Sequence, residues 1–364
     1  MVETGASAFL RAPSLRMDRS IGRRNFLSAA LAPAVLKGAP RRIRTGILGI
    51  QHSHLAGKLK AMRDSSAYEV VAVCEPDEAT RARRGRQPFL EGLRWTSMDD
   101  LLGDQSIDLI VFEGEVKDAV PFGALALRAG KHLHLEKPPT NQLEPFRDLV
   151  NLARERDRRL QLGYLWRFHP GVELALEAYR NGWLGDVYMI RATINSDRDM
   201  AQRAVEARFA GGTMFELGGH MIDRVIAFFG RPASVRAWLH HDTSINDSVN
   251  DNTLAVLEYR KALAIVVSSS RDPAVHRSLE IIGTDGSILV DPMEPSITAR
   301  VNLRAAKGPY RRGLQEINFP PEPRFAKDFE ELARSINSGS PLKYSYDHEL
   351  LLQETLLRAS GEIA

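Results

Sequence analysis

Three stretches of this 364-residue chain carry residue types whose spacing suits proton and hydride chemistry. The first is Glu136-Lys137-Pro138, which closes the apolar run His132-Leu133-His134-Leu135. That run reads as a buried strand, so the amine of Lys137 stands at the C-terminal edge of a sheet on a turn stiffened by proline, where it can point at a substrate oxygen. Oxidising a secondary alcohol needs a proton acceptor for the hydroxyl while hydride leaves the same carbon. An amine serves as that acceptor only where burial or cationic neighbours make it release its own proton. The second stretch runs from Gly211 to Asp223 and spaces Glu216, His220 and Asp223 so that a helix presents all three on one face. Gly218 and Gly219 lower helix propensity there, a cost that suggests close approach of a ring or sugar to the backbone. The third begins at Gly46-Ile47-Leu48-Gly49-Ile50-Gln51-His52-Ser53-His54 and continues to Val73-Cys74-Glu75-Pro76-Asp77.

The elements that must position these residues follow from hydropathy. From Arg41 onward, short apolar strands alternate with amphipathic helices, the pattern of an α/β parallel sheet. Strands are predicted at 43–50, 68–74, 107–112 and 132–135, with helices at 54–63 and 120–129, in a Rossmann-like order. In such a fold the first turn lets backbone amides approach a pyrophosphate, and an acid after the second strand takes the adenosine ribose. Gly46 and Gly49 match the start of the usual glycine run, whereas Gln51 and His54 stand where the next two glycines belong. A side chain at 51 crowds the pyrophosphate, and an imidazole at 54 widens the packing of helix on strand. Glu75 has the place and charge to accept both ribose hydroxyls. Its carboxylate repels a 2'-phosphate, so NAD is favoured over NADP.

Composition narrows the partners. The chain is long enough for two ordinary domains, and its net charge of +3 belongs to the first 40 residues, which hold six lysines and arginines against two acids. The remainder is close to neutral and carries no basic patch or zinc-finger spacing, which argues against nucleic acid. With one cysteine, Cys74, no intrachain disulfide can form. Ser20-Ile21-Gly22-Arg23-Arg24-Asn25-Phe26-Leu27, followed by a short apolar stretch and Ala32-Pro33-Ala34, resembles a twin-arginine export signal with a small-residue cleavage site. The apolar stretch is too short to span a bilayer, so no stable membrane anchor is expected. Residues 1–40 therefore read as a signal peptide handled by the twin-arginine translocase, which delivers a folded protein to the periplasm. Free dinucleotide is scarce there, and an enzyme exported in this way is expected to keep its cofactor through many turnovers.

Gly130-Lys131-His132-Leu133-His134-Leu135-Glu136-Lys137-Pro138 resembles the hallmark turn of the glucose-fructose oxidoreductase, inositol dehydrogenase and MocA family. Gly163-Tyr164-Leu165-Trp166-Arg167-Phe168-His169-Pro170 is similar to that family's crossing between domains, Gly182-Trp183-Leu184-Gly185-Asp186-Val187 to its turn before the second sheet, and residues 211–223 to its catalytic helix. Together they cover nearly all of 41–345. The resemblance implies a Rossmann dinucleotide-binding domain at 41–162, an α+β substrate and oligomerisation domain at 163–345 with a large, mostly antiparallel sheet, and a C-terminal helix at 346–364. One face of that sheet usually forms an oligomer interface in the family, which implies a homo-oligomer. The sequence itself supports strands at 187–194, 234–239, 252–259, 262–268, 278–283 and 286–290, and helices at 328–337 and 348–360.

By the same resemblance, Lys137 and His220 share proton transfer and Glu216, where the family usually has Asp, tunes them or binds substrate. Glu136 and Lys137 border the cofactor, Trp166 and Arg167 border the nicotinamide and its phosphate, and Tyr164, His169 and Asp223 line the sugar pocket. Ala119 stands where the family usually has a His, a few residues beyond Glu113 and Glu115. Two His-x-His pairs, His52 with His54 and His132 with His134, invite a metal reading, but no carboxylate or cysteine cluster completes a site in the sequence, and no metal is expected. Three functions remain open: an NAD-dependent sugar or polyol oxidoreductase, a glycosidase that uses NAD transiently for oxidation and elimination, and a sugar-binding pseudo-enzyme without cofactor.

Overall fold

The computed structural model describes residues 41–364, so the twin-arginine segment lies outside the described residues. The alternating pattern that follows it folds into a six-stranded sheet. β1 (Ile43–Leu48), β2 (Tyr68–Cys74), β3 (Arg94–Trp95), β4 (Leu109–Phe112), β5 (His132–Leu135) and β6 (Leu160–Leu162) lie in the order β3-β2-β1-β4-β5-β6, every pair parallel. The crossovers are α1 (Leu55–Asp64), α2 (Glu78–Arg84), α3 (Met98–Gly103), α4 (Val116–Arg128) and α5 (Leu143–Glu155). Strand order reverses between β1 and β4, and sheets of this kind bind ligands outside the carboxyl ends of their strands at that point. Strand β4 is buried at every position, which explains a continuous apolar run without alternation. Helix α1 turns Leu55, Lys58, Leu59 and Met62 inward, a helical stripe with one lysine in it.

The second sheet answers to a different period. α6 (Pro170–Arg180) leads into β7 (Val187–Ile194), and a short α7 (Met200–Glu206) and then α8 (Gly219–Phe229) precede the remaining strands. These are β8 (Ser234–His240), β9 (Asn252–Tyr259), β10 (Ala262–Ser269), β11 (Arg277–Gly283), β12 (Gly286–Val290), β13 (Ile297–Leu303) and β14 (Gly313–Phe319). The order is β14-β13-β12-β11-β7-β10-β9-β8, antiparallel except where β10 meets β7. Thr284-Asp285-Gly286 joins β11 to β12 as its turn chemistry predicts. Sequence reading passed over β13 and β14. In β13 the period-two signal is present, since Ile297, Ala299, Val301 and Leu303 are buried between polar residues. β14 is an edge strand with no buried residue, so its apolar pattern is weak.

The two faces of this sheet differ. Ile190, Ala192, Ala255, Leu257, Ala264 and Val266 point inward and are buried. Cross-strand partners Trp238 with Leu254, and Ile265 with Val256, point the other way, and Trp238 and Leu263 are exposed on that side. Among the described residues no helix is long and apolar enough to cross a membrane.

Two late helices tie the sheets together. α9 (Ala326–Ser338) returns to the first sheet, where Phe325, Phe329 and Leu332 share a core with Ile43, Ile47, Leu55, Leu59 and Tyr68. The Tyr68 hydroxyl donates to the Phe329 carbonyl at 2.6 Å, and the two rings meet edge to face at 5.5 Å. α10 (Tyr346–Ala359) packs against α8 and α5. Phe329→Ala removes a fully buried ring at this junction and should cost about 3–5 kcal/mol, read as a lower urea midpoint. A loss below about 1 kcal/mol would show that α9 does not brace the first sheet.

Candidate active site

The site begins where β1 ends. Gly49 adopts φ +85°, and a Cβ there would lie 2.5 Å from the Gly114 nitrogen, so both conformation and space require glycine. Gly46 is different: it lies within β1, where a Cβ would meet Leu101 Cδ1 at 2.8 Å, so its smallness serves core packing rather than the cofactor turn. Beyond Gly49, the Ile50 amide donates to Glu75 Oε2 at 2.8 Å, and the Gln51 and His52 amides both donate to the Glu113 carbonyl at 2.9 Å. The Gln51 side chain reaches away to Thr80 Oγ1 at 3.2 Å. Glu75 Oε1 accepts the Asp77 amide at 3.0 Å.

A cleft of about 520 Å³ opens here, lined by Gly49, Gln51, Glu75, Asp77, Arg83 and Gly114 among others. Each Glu75 oxygen is engaged once and retains a second lone pair for a ribose hydroxyl. The glycine-tight turn and the acid after β2 therefore fit the adenosine half of a dinucleotide.

Toward β5 the fold holds a buried cluster of charge. Lys58, the lysine in the apolar stripe of α1, is fully buried, and its ammonium bonds Glu113 Oε1 at 2.6 Å and pairs with Glu136 Oε1. Burial works against its charge, but the two carboxylates outweigh that and hold its pKa above the ordinary value. Burial, set against Lys58, pushes the Glu113 carboxyl up to about 8, and Glu113 Oε2 has no partner. Burial alone would raise Glu136 too, yet the flanking His52, Lys58 and His54 hold it well below the usual carboxylate range.

His54 Nδ1 lies 2.9 Å from Glu136 Oε1, and the His54 amide donates to His52 Nδ1 at 3.2 Å. Burial lowers the pKa of both rings against the pull of Glu136. The fold thus supplies the carboxylate that the sequence did not place beside His52 and His54: donor atoms of His52, His54 and Glu136 lie within 4.8 Å of one another. The cation on that carboxylate oxygen is the Lys58 ammonium. His132 and His134 are separate from this group; His134 Nδ1 meets Gln161 Oε1 at 3.0 Å inside the sheet.

Glu136 also sets the next residue. Its Oε2 accepts the Lys137 amide at 3.0 Å, and from there Lys137 Nζ reaches the Glu216 carbonyl at 2.9 Å and Glu216 Oε1 at 3.0 Å. Glu216 belongs to a π-helical turn, Met214–Gly218, that runs into α8. His220, the second residue of α8, is buried against Tyr164 and Trp166, with ring centres 5.6 and 5.4 Å away. Burial, then the nearby Lys137, hold its pKa well below the usual value, so the imidazole is neutral. His220 Nδ1 and the Tyr164 hydroxyl are both buried without partners. The structure therefore brings Lys137, Glu216, His220, Tyr164, Trp166 and His54 together.

It does not bring Arg167, Asp223 and His169 to the same place. The π turn at Met214–Gly218 shifts Glu216 relative to His220, whereas Asp223 keeps its regular place after His220 on α8 and is drawn into a buried ion cluster. Asp223 is fully buried and accepts from Arg167 at 3.1 and 3.2 Å and from His348 Nε2 at 2.7 Å, while pairing with Arg224. Arg167 completes its fork on Glu349 at 2.5 and 2.7 Å, so its guanidinium holds α8 to α10 instead of facing a nicotinamide phosphate. His169 Nδ1 accepts the Val172 amide at 3.3 Å and caps α6, and its Nε2 donates to the Met293 carbonyl at 3.0 Å. The glycines after Glu216 are likewise explained within the protein: a Cβ at 218 would strike Met214 Sδ at 2.3 Å, and one at 219 would crowd the Tyr164 ring at 3.2 Å.

Sequence reading missed Lys58 and Glu206. A lysine inside the apolar stripe of a helix signals a buried carboxylate partner, and Glu113 at a strand end was the candidate. Glu206 closes α7, is buried, accepts from Arg198 Nε at 2.9 Å, and leaves Oε2 unpartnered. Burial and the charge of Glu216, opposed by Arg198, push its carboxyl up to about 7. Nothing in the local sequence announces that proximity.

Comparison with known proteins agrees with this architecture. Residues 43–164 match the family model described as "Oxidoreductase family, NAD-binding Rossmann fold", and residues 172–289 match the "GFO/IDH/MocA C-terminal domain". An uncharacterised oxidoreductase of Schizosaccharomyces pombe is 31% identical over 270 residues, covering 70% of this chain and 73% of that one. A trans-1,2-dihydrobenzene-1,2-diol dehydrogenase of Xenopus laevis is 25% identical over 295 residues, 78% of this chain and 87% of that one. Among solved structures, a 3-ketoreductase from Actinomadura kijaniata in complex with TDP-benzene and NADP superposes with a TM-score of 0.72 at 21% identity, over 88% of this chain and 97% of that one, which shows the shared fold.

Two outcomes check the assignments above. Arg167→Ala leaves Glu349 buried and unpaired and Asp223 with only Arg224 and His348, and should cost about 3–5 kcal/mol of stability; an unchanged urea midpoint with weakened nucleotide binding would return Arg167 to the cofactor. Burial pushes the His134 ring down to about 3, while in the unfolded chain it takes a proton near 6.5. The stability from keeping it neutral is full above 6.5 and is lost as pH falls from 6.5 toward 3. In His134→Asn the drop in stability between pH 7 and pH 5 should shrink by about 2 kcal/mol, and parallel pH profiles for both proteins would show that the ring contributes nothing.

Proposed function

The chain belongs to the GFO/IDH/MocA oxidoreductase family, and from that premise we propose that it is an exported enzyme that holds NAD tightly and oxidises or reduces a secondary alcohol carbon of a sugar, polyol or glycoside. The observation that carries this reading is that Lys137 is ion-paired with Glu216, four residues before His220, whose buried imidazole leaves Nδ1 without a partner. In the oxidative direction His220 takes the proton of the substrate hydroxyl. Lys137 donates a hydrogen bond to the same oxygen as it becomes a carbonyl, and Glu216 fixes where that ammonium points. Trp166 and Tyr164 exclude water from the imidazole.

Glu75 and the turn at Gly49 would hold the adenosine half of the cofactor, and the carboxylate favours NAD over NADP. When bound, the nicotinamide supplies the hydride acceptor or donor. Arg23-Arg24 with its apolar continuation supports twin-arginine export to the periplasm, and a trapped cofactor suits that compartment. The apolar outer face around Trp238, Leu254 and Leu263 supports a homo-oligomer.

Purified protein, denatured and separated, should release about one equivalent of NAD(H) per chain. Lys137→Met and His220→Ala should each lower kcat/KM on a panel of cyclic polyols and methyl glycosides by about 100-fold or more while the urea midpoint stays near that of the parent. No bound nucleotide and no binding on addition would leave a sugar-binding protein, and near-normal turnover in both variants would remove the catalytic roles.

A further inference from the structure

A dinucleotide needs donors for its diphosphate, and the groups expected to supply them are committed elsewhere. In the turn after β1 the Gly49 amide donates to the Cys74 carbonyl at 2.8 Å, the Ile50 amide to Glu75, and the Gln51 and His52 amides to the Glu113 carbonyl. The His54 amide is spent on His52 Nδ1. Arg167, which the family resemblance sets at the nicotinamide phosphate, is forked onto Asp223 and Glu349. We propose that Arg208, reaching over from the segment between α7 and α8, and Lys117 of α4 bind the diphosphate of the nucleotide and strap it into the cleft beside Gly49. The inference rests on the proposed nucleotide binding and says which side chains meet its charge.

The cleft at Gly49 and Gly114, where β1 and β4 end, has both Arg208 and Lys117 in its wall. Both cations meet one acid: Lys117 Nζ lies 3.1 Å and Arg208 Nη1 3.4 Å from Glu115 Oε2. Glu115 stands at the N-cap of α4, so the Arg208 contact joins the first sheet to the segment after α7. That segment is anchored on its own side. Phe209 stacks on the buried Phe215 ring at 4.3 Å, the Ala210 amide donates to Glu362 Oε1 at 2.8 Å, and the Ala210 carbonyl accepts from Asn250 Nδ2 at 2.7 Å. The side chains of Arg208 and Lys117 are 55% and 73% exposed, so their pairs with Glu115 are weak and exchangeable. A diphosphate offers two negative charges where Glu115 offers one, and a guanidinium meets phosphate oxygens in a bidentate fork. The same wall carries the acids Glu75, Asp77 and Asp118, so an anion settles there against their repulsion only by engaging the cations. The third cation, Arg83 of α2, donates to Thr80 Oγ1 at 3.1 Å beside the acid after β2, and belongs to the ribose end.

A bound diphosphate then links the turn after β4 to the segment that leads into the π turn of Glu216, because Phe209 and Phe215 are stacked. Nucleotide leaves once Arg208 lets go, which suits a cofactor kept through many turnovers. Glu115 holds both cations in the absence of nucleotide and so competes with it.

The test compares ADP-ribose, which carries the diphosphate, with adenosine, which lacks it. The full chain, stripped of nucleotide with charcoal, is titrated with each by calorimetry at low salt. Arg208→Gln should weaken ADP-ribose by about 10-fold or more while the adenosine affinity and the urea midpoint stay at the parent values, a split that a merely structural role would not produce. Arg208→Lys should keep part of the affinity, because it retains the charge and loses the fork. Glu115→Gln should tighten ADP-ribose, and that gain should shrink when Arg208→Gln is added. Protein loaded with NADH and chased with NAD should release it faster in Arg208→Gln by the same factor. The proposal is overturned by ADP-ribose binding in Arg208→Gln at the parent affinity, by an equal loss for adenosine, or by weaker ADP-ribose binding in Glu115→Gln. Parent-like binding in Arg208→Gln, with NAD(H) still released on denaturation, removes the strap and keeps the cofactor. Failure of the parent to bind either nucleotide removes both.

Discussion

The site depends on how one buried carboxylate distributes its four lone pairs. Glu136 accepts the amide of Lys137, pairs with Lys58 from α1, and meets His54 from the first turn. Those groups come from β5 and its turn, from the helix on the sheet, and from the loop where glycines would ordinarily stand. A charge so placed is costly without partners, and the three it has also define the positions of a lysine and an imidazole. Gly163 is bound by the same constraint, since a Cβ there would lie 3.2 Å from both Glu136 Oε1 and Lys58 Nζ.

A second buried ion network does a different job. Arg167, Asp223, Arg224, Glu349 and His348 join the crossing segment, α8 and α10, and Tyr344 stacks on two of the guanidinium groups. This network holds the helix that carries His220 against the rest of the protein. The Glu136 cluster fixes the turn that carries Lys137 and the Arg167 network fixes the helix that carries His220, so both reactive groups stand on rigid supports, as precise positioning requires. Tyr164 lies between His220 and this network: its ring faces His220 at 5.6 Å and Arg167 lies over it at 5.1 Å.

Much of this was legible in the residues. The parallel sheet followed from apolar runs separated by amphipathic helices, and the Glu-Lys-Pro turn announced Lys137 because a strand must end before it. His220 and Glu216 were found through their spacing, whereas Asp223 keeps its helical place after His220 but spends its carboxylate on Arg167, Arg224 and His348, partners that spacing does not reveal. Arg167 was placed at the nicotinamide phosphate and His169 at the sugar by family resemblance, because charged and aromatic side chains near a site look alike in sequence whether they face a ligand or each other. Burial separates them, and burial is a property of the whole fold. Lys58 was the clearest overlooked signal, while Glu206 meets Glu216 only through tertiary packing.

The central claim is that one amine and one imidazole address a single substrate oxygen. A crystal structure of the protein with NAD and a bound polyol measures this directly. The account predicts Lys137 Nζ and a His220 ring nitrogen both within hydrogen-bond reach, about 2.6–3.2 Å, of the same hydroxyl. A polyol bound with either group turned toward another cavity, or with the His52 and His54 rings filling the space beside Lys137, would contradict it.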